Sequence, residues 1–450
     1  MIQENLKGYP TRVAKIRKAE LYYAGENDIL RKRNPLEKKQ TEKNNPLREA
    51  DARISHAWHQ LLLNQKASYT MTNPPTFDVK DEELNHKLVV LLGDRFPKIA
   101  KDLTVNAGNA GVAWVHVWRD SDNDFFRYSV VDSKQIIPIF SKSLDHKLEG
   151  VLRTYEDYND KGQKVLIYEY WNDTTCQTFS TLKKDGLEGL TEFDSFEIMN
   201  EINGQIDKSS TNTFEHNWED VPFIPFKNNP LEQSDLDVVK QLIDTYDKVF
   251  SGFVNDVDDV QQVIFVLTNY GGEDKQEFLQ NLKQYKMIKV DDDDETQSKV
   301  DTLAIDIPVE ARSRLLEMTR EAIFTQGQGV DPQKNISQNN SGVALAYMYS
   351  LLELKASMLE TEFRVGFATL IRFMLKYLNV DSDIIVEQKW TRSSINDDAR
   401  QATIVSQLAS FTSNKAIAKS NPLVENWEEE LQELEQEKLN VYRAEDDYKN

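Results

Sequence analysis

Four groups of residues have the types and spacing to do chemistry. His56 and His59 stand three apart, so a helix would put both imidazoles on one face, as a metal pair requires. No further ligands stand near them, and two packing histidines are the simpler reading. Asp291, Asp292, Asp293 and Asp294 invite a cation site. An EF-hand loop from Asp291 would need glycine and glutamate where the chain has Thr296 and Thr302, so a solvated hairpin tip fits better. Asp256, Asp258 and Asp259 resemble the carboxylates of a two-metal nuclease, yet they sit at a helix end beside an apolar stripe, as on a charged helical face. The fourth group is the run Gln328 to Asn340 (QGVDPQKNISQNN), which is polar, lacks apolar periodicity and holds one cation, Lys334. A structureless connection of that length between two helices suggests function.

Motifs of the commoner enzyme classes are missing. There is no G-x-x-x-x-G-K-S/T loop, and Gly327-Gln328-Gly329 follows a helix rather than a strand, so no ATP hydrolysis is expected. HExxH and GxSxG are also absent. Cys176 is the only cysteine, which excludes an intrachain disulfide and a cysteine-based zinc site. No enzyme activity, metal or cofactor is expected.

The 450 residues are 39% apolar and 29% charged, with 20 Phe, 17 Tyr and 7 Trp to build cores. No apolar run approaches the ~20 residues of a membrane span, and Met1-Ile2-Gln3-Glu4-Asn5 opens no secretory leader, so synthesis in a reducing cytoplasm is expected. Net charge is -21. Such a chain does not hold DNA through its overall field, because phosphate affinity comes from Lys and Arg. It can face DNA as a wall that repels it. The charge is uneven: residues 1–53 carry 13 Lys/Arg against 8 Asp/Glu, residues 232–308 carry 7 against 18, and residues 397–450 carry 6 against 12.

The elements that must position these groups follow from periodicity. Helices are expected over Lys7–Tyr23 and Ile54–Tyr69, and over Glu82–Ala107 with breaks at Gly93 and Pro97. From Gly111 the period changes to two, and six short strands between Val112 and Leu182 read as an antiparallel meander. Val221–Phe226, with two prolines, suits an edge strand. Ser234 caps a helix of about 26 residues, roughly 39 Å long, with Asp237, Asp244, Asp247, Lys248, Asn255 and Asp258 on its outer face. A compact insertion follows, with strands over Gln262–Thr268, Met287–Val290 and Lys299–Ile307. Pro308 opens a helix that stops at Gly327. Ser341 opens the longest helix, to about Leu378, which Gly366 is expected to bend. Asp383–Thr391 reads as a strand, and residues 397–450 as acidic helix broken at Asn421-Pro422.

Several strings resemble the portal proteins of long-tailed bacteriophages, of the Bacillus siphophage type. They are Leu21–Leu30 (LYYAGENDIL), Asn64–Tyr69 (NQKASY) closed by Asn73-Pro74-Pro75, Val221–Asn229 (VPFIPFKNN) and Leu242–Asp247 (LIDTYD). Asn340–Leu345 (NSGVAL), Leu352–Ala356 (LELKA), Ser413-Asn414-Lys415 and the acidic stretch from Glu425 to Glu430 continue the series. Their order and spacing across residues 20–435 carry the resemblance, not any single string.

The resemblance implies an α+β portal fold assembled as a cyclic ring, usually of twelve copies. Residues 1–232 would be the wing, completed by a strand within 379–396. Stem helices would cover 233–262 and 308–327, with the clip, 263–307, between them. Residues 328–340 would be the tunnel loop, 341–378 a long channel helix, and 397–450 the crown. The loop residues Gln328, Gln333, Lys334, Asn335, Gln338, Asn339 and Asn340 would touch passing duplex DNA without reading its sequence. The clip residues Gly271, Gly272, Glu273, Asp291, Asp292, Asp293 and Asp294 would dock a terminase large subunit and later a head-completion adaptor. Major capsid and scaffold proteins would be further partners, and the virion's portal vertex the final location. The alternatives are a capsid adaptor or scaffold-type protein that forms no channel, and a metal-dependent nuclease.

Overall fold

The computed structural model describes residues 6–31, 50–120, 124–159, 161–183, 185–202, 205–260, 264–268, 299–303, 307–333, 342–381 and 384–392, with short stretches within 406–436. In chain order the helices are α1 (Tyr9–Tyr23), α2 (Trp58–Met71), α3 (Glu82–Leu92), α4 (Phe96–Ala110), α5 (Asp235–Val260), α6 (Val309–Gln326), α7 (Gly342–Tyr377) and α8 (Asn414–Ser420). The strands are β1 (Thr76–Asp78), β2 (Val112–Arg119), β3 (Phe126–Val131), β4 (Ile136–Phe140), β5 (Leu148–Tyr158), β6 (Lys164–Trp171), β7 (Thr175–Leu182), β8 (Thr191–Glu192), β9 (Phe196–Ile202), β10 (Gln205–Thr211), β11 (Thr213–Glu215), β12 (Phe223–Lys227), β13 (Ile264–Thr268), β14 (Lys299–Leu303) and β15 (Glu387–Lys389). The fold is α+β, and every strand pair is antiparallel. No helix among the described residues is long and apolar enough to cross a membrane.

Two compact units divide the chain. Unit 1 is Met1–Leu63, Gly108–Gly111 and Leu231–Gly327; unit 2 is Asn64–Ala107, Val112–Pro230 and Gln328–Asn450.

Unit 1 is organised by α5. Leu236, Val239 and Ile243 of its first half are buried with Tyr22 of α1, Leu62 of α2 and Ile323 and Phe324 of α6. The same face continues down the helix as Asp247, Ser251 and Asn255, each four residues on, and there it takes a strap of extended chain. Ala52 N–H donates to Asn255 Oδ1 (2.6 Å), Ile54 N–H to Ser251 Oγ (2.9 Å) and His56 N–H to Asp247 Oδ1 (3.0 Å). The two repeats match: two extended residues advance ~6.6 Å and four helical residues ~6.0 Å.

This strap corrects two expectations. The helix expected from Ile54 begins at Trp58, because the amides of Ala52, Ile54 and His56 are already committed to α5. Asp247, expected on the outer face, is fully buried. His56 therefore shares no helical face with His59. Its Nδ1 lies 2.8 Å from Asp247 Oδ1, with the rings of Tyr246 and Phe250 edge-on to it at 4.8 Å each. His59, on α2, faces Asn109 Oδ1 at 2.8 Å through Nε2. No metal-binding group of His, Cys, Asp and Glu occurs among the described residues. Asp256 is paired with Arg312 of α6.

An ion network lies at the other end of the strap. Asp28 contacts Lys18 and stands 2.8 Å from Lys240 Nζ. Burial pushes the Asp28 carboxyl up, but the two ammonium groups more than reverse this, leaving it at about 2 against an ordinary 3.8. A depressed folded-state pKa contributes stability above the unfolded value and loses it as pH falls through the folded one. Unit 1 is therefore expected to weaken from about pH 4 towards pH 2, more steeply than in Asp28→Asn. Parallel acid-melting curves for the two proteins would refute this.

Unit 2 holds the larger core. Phe363, Phe367, Leu370, Ile371 and Met374 of α7 pack with Leu88, Phe96, Leu103, Val115, Phe126 and Phe226. The expected single meander is two sheets. β12-β2-β3 forms one, and β11-β7-β6-β5-β4 with β8 on β7 forms the other. A 3-10 turn over Ser133–Gln135, capped by Asp132, separates them. Among the described residues β12 pairs only with β2, the edge position its prolines require. β15 pairs with β1.

One breaker expectation is also corrected. Pro97 sits in the first turn of α4, where its missing N–H is harmless, and Gly93 (φ 65°) alone ends α3. α7 runs unbroken through Gly366, where a Cβ would stand 2.7 Å from the Phe226 ring, which fills the notch between Phe363 and Phe367. Of the acidic C-terminal segment, residues 406–407, 412–420 and a few within 430–436 are described, and Asn421-Pro422 lie outside them.

Candidate functional site at the root of a polar loop

α6 stops where expected, but not through a left-handed glycine. Gly327 has φ -72° and donates its N–H to Ile323 O at 2.8 Å. Glycine is required there by space: a Cβ would lie 2.6 Å from Leu62 Cδ1. The left-handed residue is Gln328, with φ 53°, half-buried.

In unit 2 the loop then meets a clasp. The Gln65 side-chain amide donates to Val330 O (2.8 Å), and Val330 N–H donates to Gln65 Oε1 (3.0 Å). One carboxamide thus satisfies both backbone groups of one residue, as a neighbouring strand would. The Val330 side chain packs with Tyr69, Tyr349, Leu352 and Ala356. Asp331 Oδ1 accepts from Gln333 N–H (2.9 Å), turning the chain outward, and Gln333 is exposed.

Charge fixes the wall behind the clasp. Tyr69 OH donates to Glu353 Oε2 at 2.7 Å, and Arg392 bonds Glu353 at 3.1 Å and Glu360 at 2.5 Å. Burial and the bond to Glu353 push the Tyr69 hydroxyl up to about 12. It stays a donor at any physiological pH.

Of the loop residues singled out in the sequence, Gln328 and Gln333 stand at this root. Lys334, Asn335, Gln338, Asn339 and Asn340 lie outside the described residues, and α7 resumes at Gly342. Gly271, Gly272, Glu273, Asp291, Asp292, Asp293 and Asp294 also lie outside them; the flanking strands β13 and β14 pair in register from Ile264↔Leu303 to Thr268↔Lys299. Sequence reasoning placed Val330 only as part of the polar run and did not single out Gln65 or Glu353. Gln65 and Glu353 fall in two of the quoted strings, NQKASY and LELKA, but no spacing rule links a glutamine on one helix to a loop 265 positions away.

The arrangement offers positioning, not bond-making. What it supplies is amides and a backbone held at one point. Replacing Gln65 with alanine is expected to leave α2 intact while the Val330 amide loses about tenfold or more in hydrogen-exchange protection, the equivalent of one to two lost hydrogen bonds. Unchanged protection would show that the apolar contacts of Val330 suffice.

Known proteins extend this picture. A portal protein of Clostridium phage phiCD119 is 38% identical over 454 residues, spanning 98% of this chain and 96% of its own. The portal protein of Bacillus phage SPP1 is 30% identical over 430 residues, spanning 94% of this chain and 83% of its own. Among solved structures, the neck of an empty gene transfer agent (GTA) particle is 12% identical and covers 80% of this chain and 88% of its own, with a TM-score of 0.44. That likeness is too distant to carry an argument. The sequence matches do not depend on it: residues 3–441 fit the family described as phage portal protein, SPP1 Gp6-like, and the chain belongs to that family.

Proposed function

We propose that copies of this chain close into a ring, usually of twelve, at one vertex of a tailed-phage capsid. The ring is the conduit through which duplex DNA is packaged, retained and ejected towards the tail. The observation that carries this reading is the family match along residues 3–441, together with relatives named portal proteins that align nearly end to end. The chain is made in the bacterial host cytoplasm and ends in the virion.

The chemistry supports a passive part. Twelve copies at -21 each bring roughly -250 of formal charge before counterions. Acidic walls prevent the phosphate clamping that basic surfaces cause, so DNA slides. The loop 328–340 meets the DNA, with Lys334 as its one phosphate partner and its amides as weak, sequence-blind contacts. Gln65 sets where that loop leaves the body. A terminase large subunit supplies ATP hydrolysis and docks on residues 263–307, and a head-completion adaptor follows it there. Major capsid and scaffold proteins hold the ring at its vertex.

The test is the native mass of the purified chain, with averaged electron images of the same sample. A species near twelve times 52.0 kDa with a central hole of ~20 Å or more, wide enough for duplex DNA, is the expected result. A chain that stays monomeric even with capsid and scaffold proteins present would sink the conduit and favour a channel-less adaptor. In the ring, Lys334→Ala with a shortened loop is expected to alter packaging rate or packaged length; normal values for both would remove the loop from the mechanism.

A further inference from the structure

α7 is apolar on two faces, and only one of them is used inside the chain. Leu352, Ala356, Leu359, Phe363 and Phe367 point into buried clusters of unit 2. The opposite side is exposed, and from Ser350 it reads Leu351, Leu354, Ser357, Met358, Thr361 and Val365. Leu354 is 55% exposed, Met358 46% and Val365 67%. Their spacing keeps them on one stripe, and 15 residues at 1.5 Å make it roughly 22 Å long.

Among its exposed residues no charge falls on this stripe before Arg372, and the half-buried Lys355 and Glu362 border it along one edge. In a chain that is 29% charged this is unusual, and the other long helices differ. The exposed side of α5 carries Asp237, Lys248 and Asp258, and that of α6 carries Glu310, Arg314, Glu317 and Glu321. An ordinary solvent face of a helix is polar and charged, and a helix that is apolar on opposite sides is buried on both. The stripe is therefore built to be covered.

We infer that the stripe Leu351, Leu354, Met358 and Val365 on α7 is the centre of the contact between one copy of this chain and the next. This rests on the ring proposed above and names the surface that makes it. Charge selects the occupant. A second copy also carries -21, so copies can approach closely only where carboxylates are absent. Nucleic acid would require exposed cations, and none stands among the exposed residues of the stripe. Depletion of charge, with an exposed Met at the centre, is a mark of an interface core. At ~22 Å by ~10 Å the stripe covers only part of the ~800 Å² per partner of a standard interface, so it is the dry centre of a larger contact. A ring needs this face to meet a different face of the neighbour, since a self-matching patch would stop at a dimer.

The experiment uses the full chain. Leu354→Glu/Met358→Glu places two carboxylates at the stripe's centre. Both side chains are exposed, so the far-ultraviolet circular dichroism should match the wild type. The half-assembly concentration, read by analytical ultracentrifugation, should rise by more than about tenfold, because like charges at a desolvated contact cost several kcal/mol. A second variant, Leu354→Cys, needs no disruption. The one native thiol, Cys176, is fully buried, so maleimide reports on position 354. Labelling should be rapid in the dissociated chain and more than about tenfold slower in the assembly. Three results overturn the inference: a double variant that assembles like the wild type, a thiol at position 354 that labels equally fast in the ring, or one already protected in the monomer, which would mean the chain covers its own stripe. A wild type that never assembles removes the ring reading itself, and the surface with it.

Discussion

Replacing Asp247 with alanine should destabilise unit 1 by roughly 3–5 kcal/mol, because three groups lose their acceptor at about 1–3 kcal/mol each. The carboxylate is fully buried and serves three groups: His56 N–H at 3.0 Å, His56 Nδ1 at 2.8 Å and Asn27 Nδ2 at 2.6 Å. A carboxylate can only accept, so His56 must carry its proton on Nδ1. Alanine strands all these donors in a site closed by Tyr246 and Phe250. Neighbouring rungs of the same ladder are worth less. Ser251→Ala removes one short neutral hydrogen bond and one long one (2.9 and 3.5 Å) and should cost about 1 kcal/mol. In thermal melts, Asp247→Ala should lower the unit 1 transition by about 10 °C, and the amides of Ala52, Ile54 and His56 should exchange faster together. A melting shift no larger than that of Ser251→Ala would mean that the strap holds without its central carboxylate.

Gly111→Ala should be comparably damaging for a different reason. Gly111 has φ 83°, and a Cβ built on it would sit 2.0 Å from Glu232 O and 2.7 Å from Glu232 C. Those are backbone atoms and cannot rotate away. Nearby, Ser234 Oγ donates to Gly108 O at 2.9 Å, and a Cβ on Gly108 would lie 2.3 Å from Leu63 Cδ1. The end of α4 thus receives the chain that starts α5 at the closest approach two backbones allow. Gly162 supplies the control. It has φ 68° with nothing within 4 Å, so alanine there costs only the left-handed conformation, about 1 kcal/mol. Gly111→Ala should exceed that by at least ~2 kcal/mol and reduce soluble yield. Equal melting temperatures for the two variants would show that residues 231–233 yield to the new methyl.

The two cases show where sequence reasoning stopped. α5 was legible as a helix because Val239, Leu242, Ile243 and Tyr246 repeat at helical spacing, and a serine precedes them. Which face was buried was legible only over its first half. There burial is apolar; over the second half it is made of Asp247, Ser251 and Asn255, and polarity reads as exposure until the partner amides are known. The strap failed for the complementary reason. Ile54, Ala57, Trp58, Leu61 and Leu62 satisfy a helical pattern, but hydrogen bonds to a segment about 200 positions away satisfy the backbone better. The strands were found because alternation is local, whereas the split into two sheets depends on which strands pair. The polar loop announced itself by length and composition. Its clasp, one glutamine side chain on another helix, left no periodic trace.

The ladder between β13 and β14 has a consequence for change over time. Its register brings Thr268 opposite Lys299, so the 30 residues from 269 to 298 leave and return through points about 5 Å apart. Closing a longer loop through the same gate costs only about 0.6 kcal/mol for each doubling of its length. Natural variation can therefore enlarge, shrink or exchange that segment as a cassette while α5 and α6 on either side keep their sequence. A foreign domain whose own ends lie close together should be accepted at the same place.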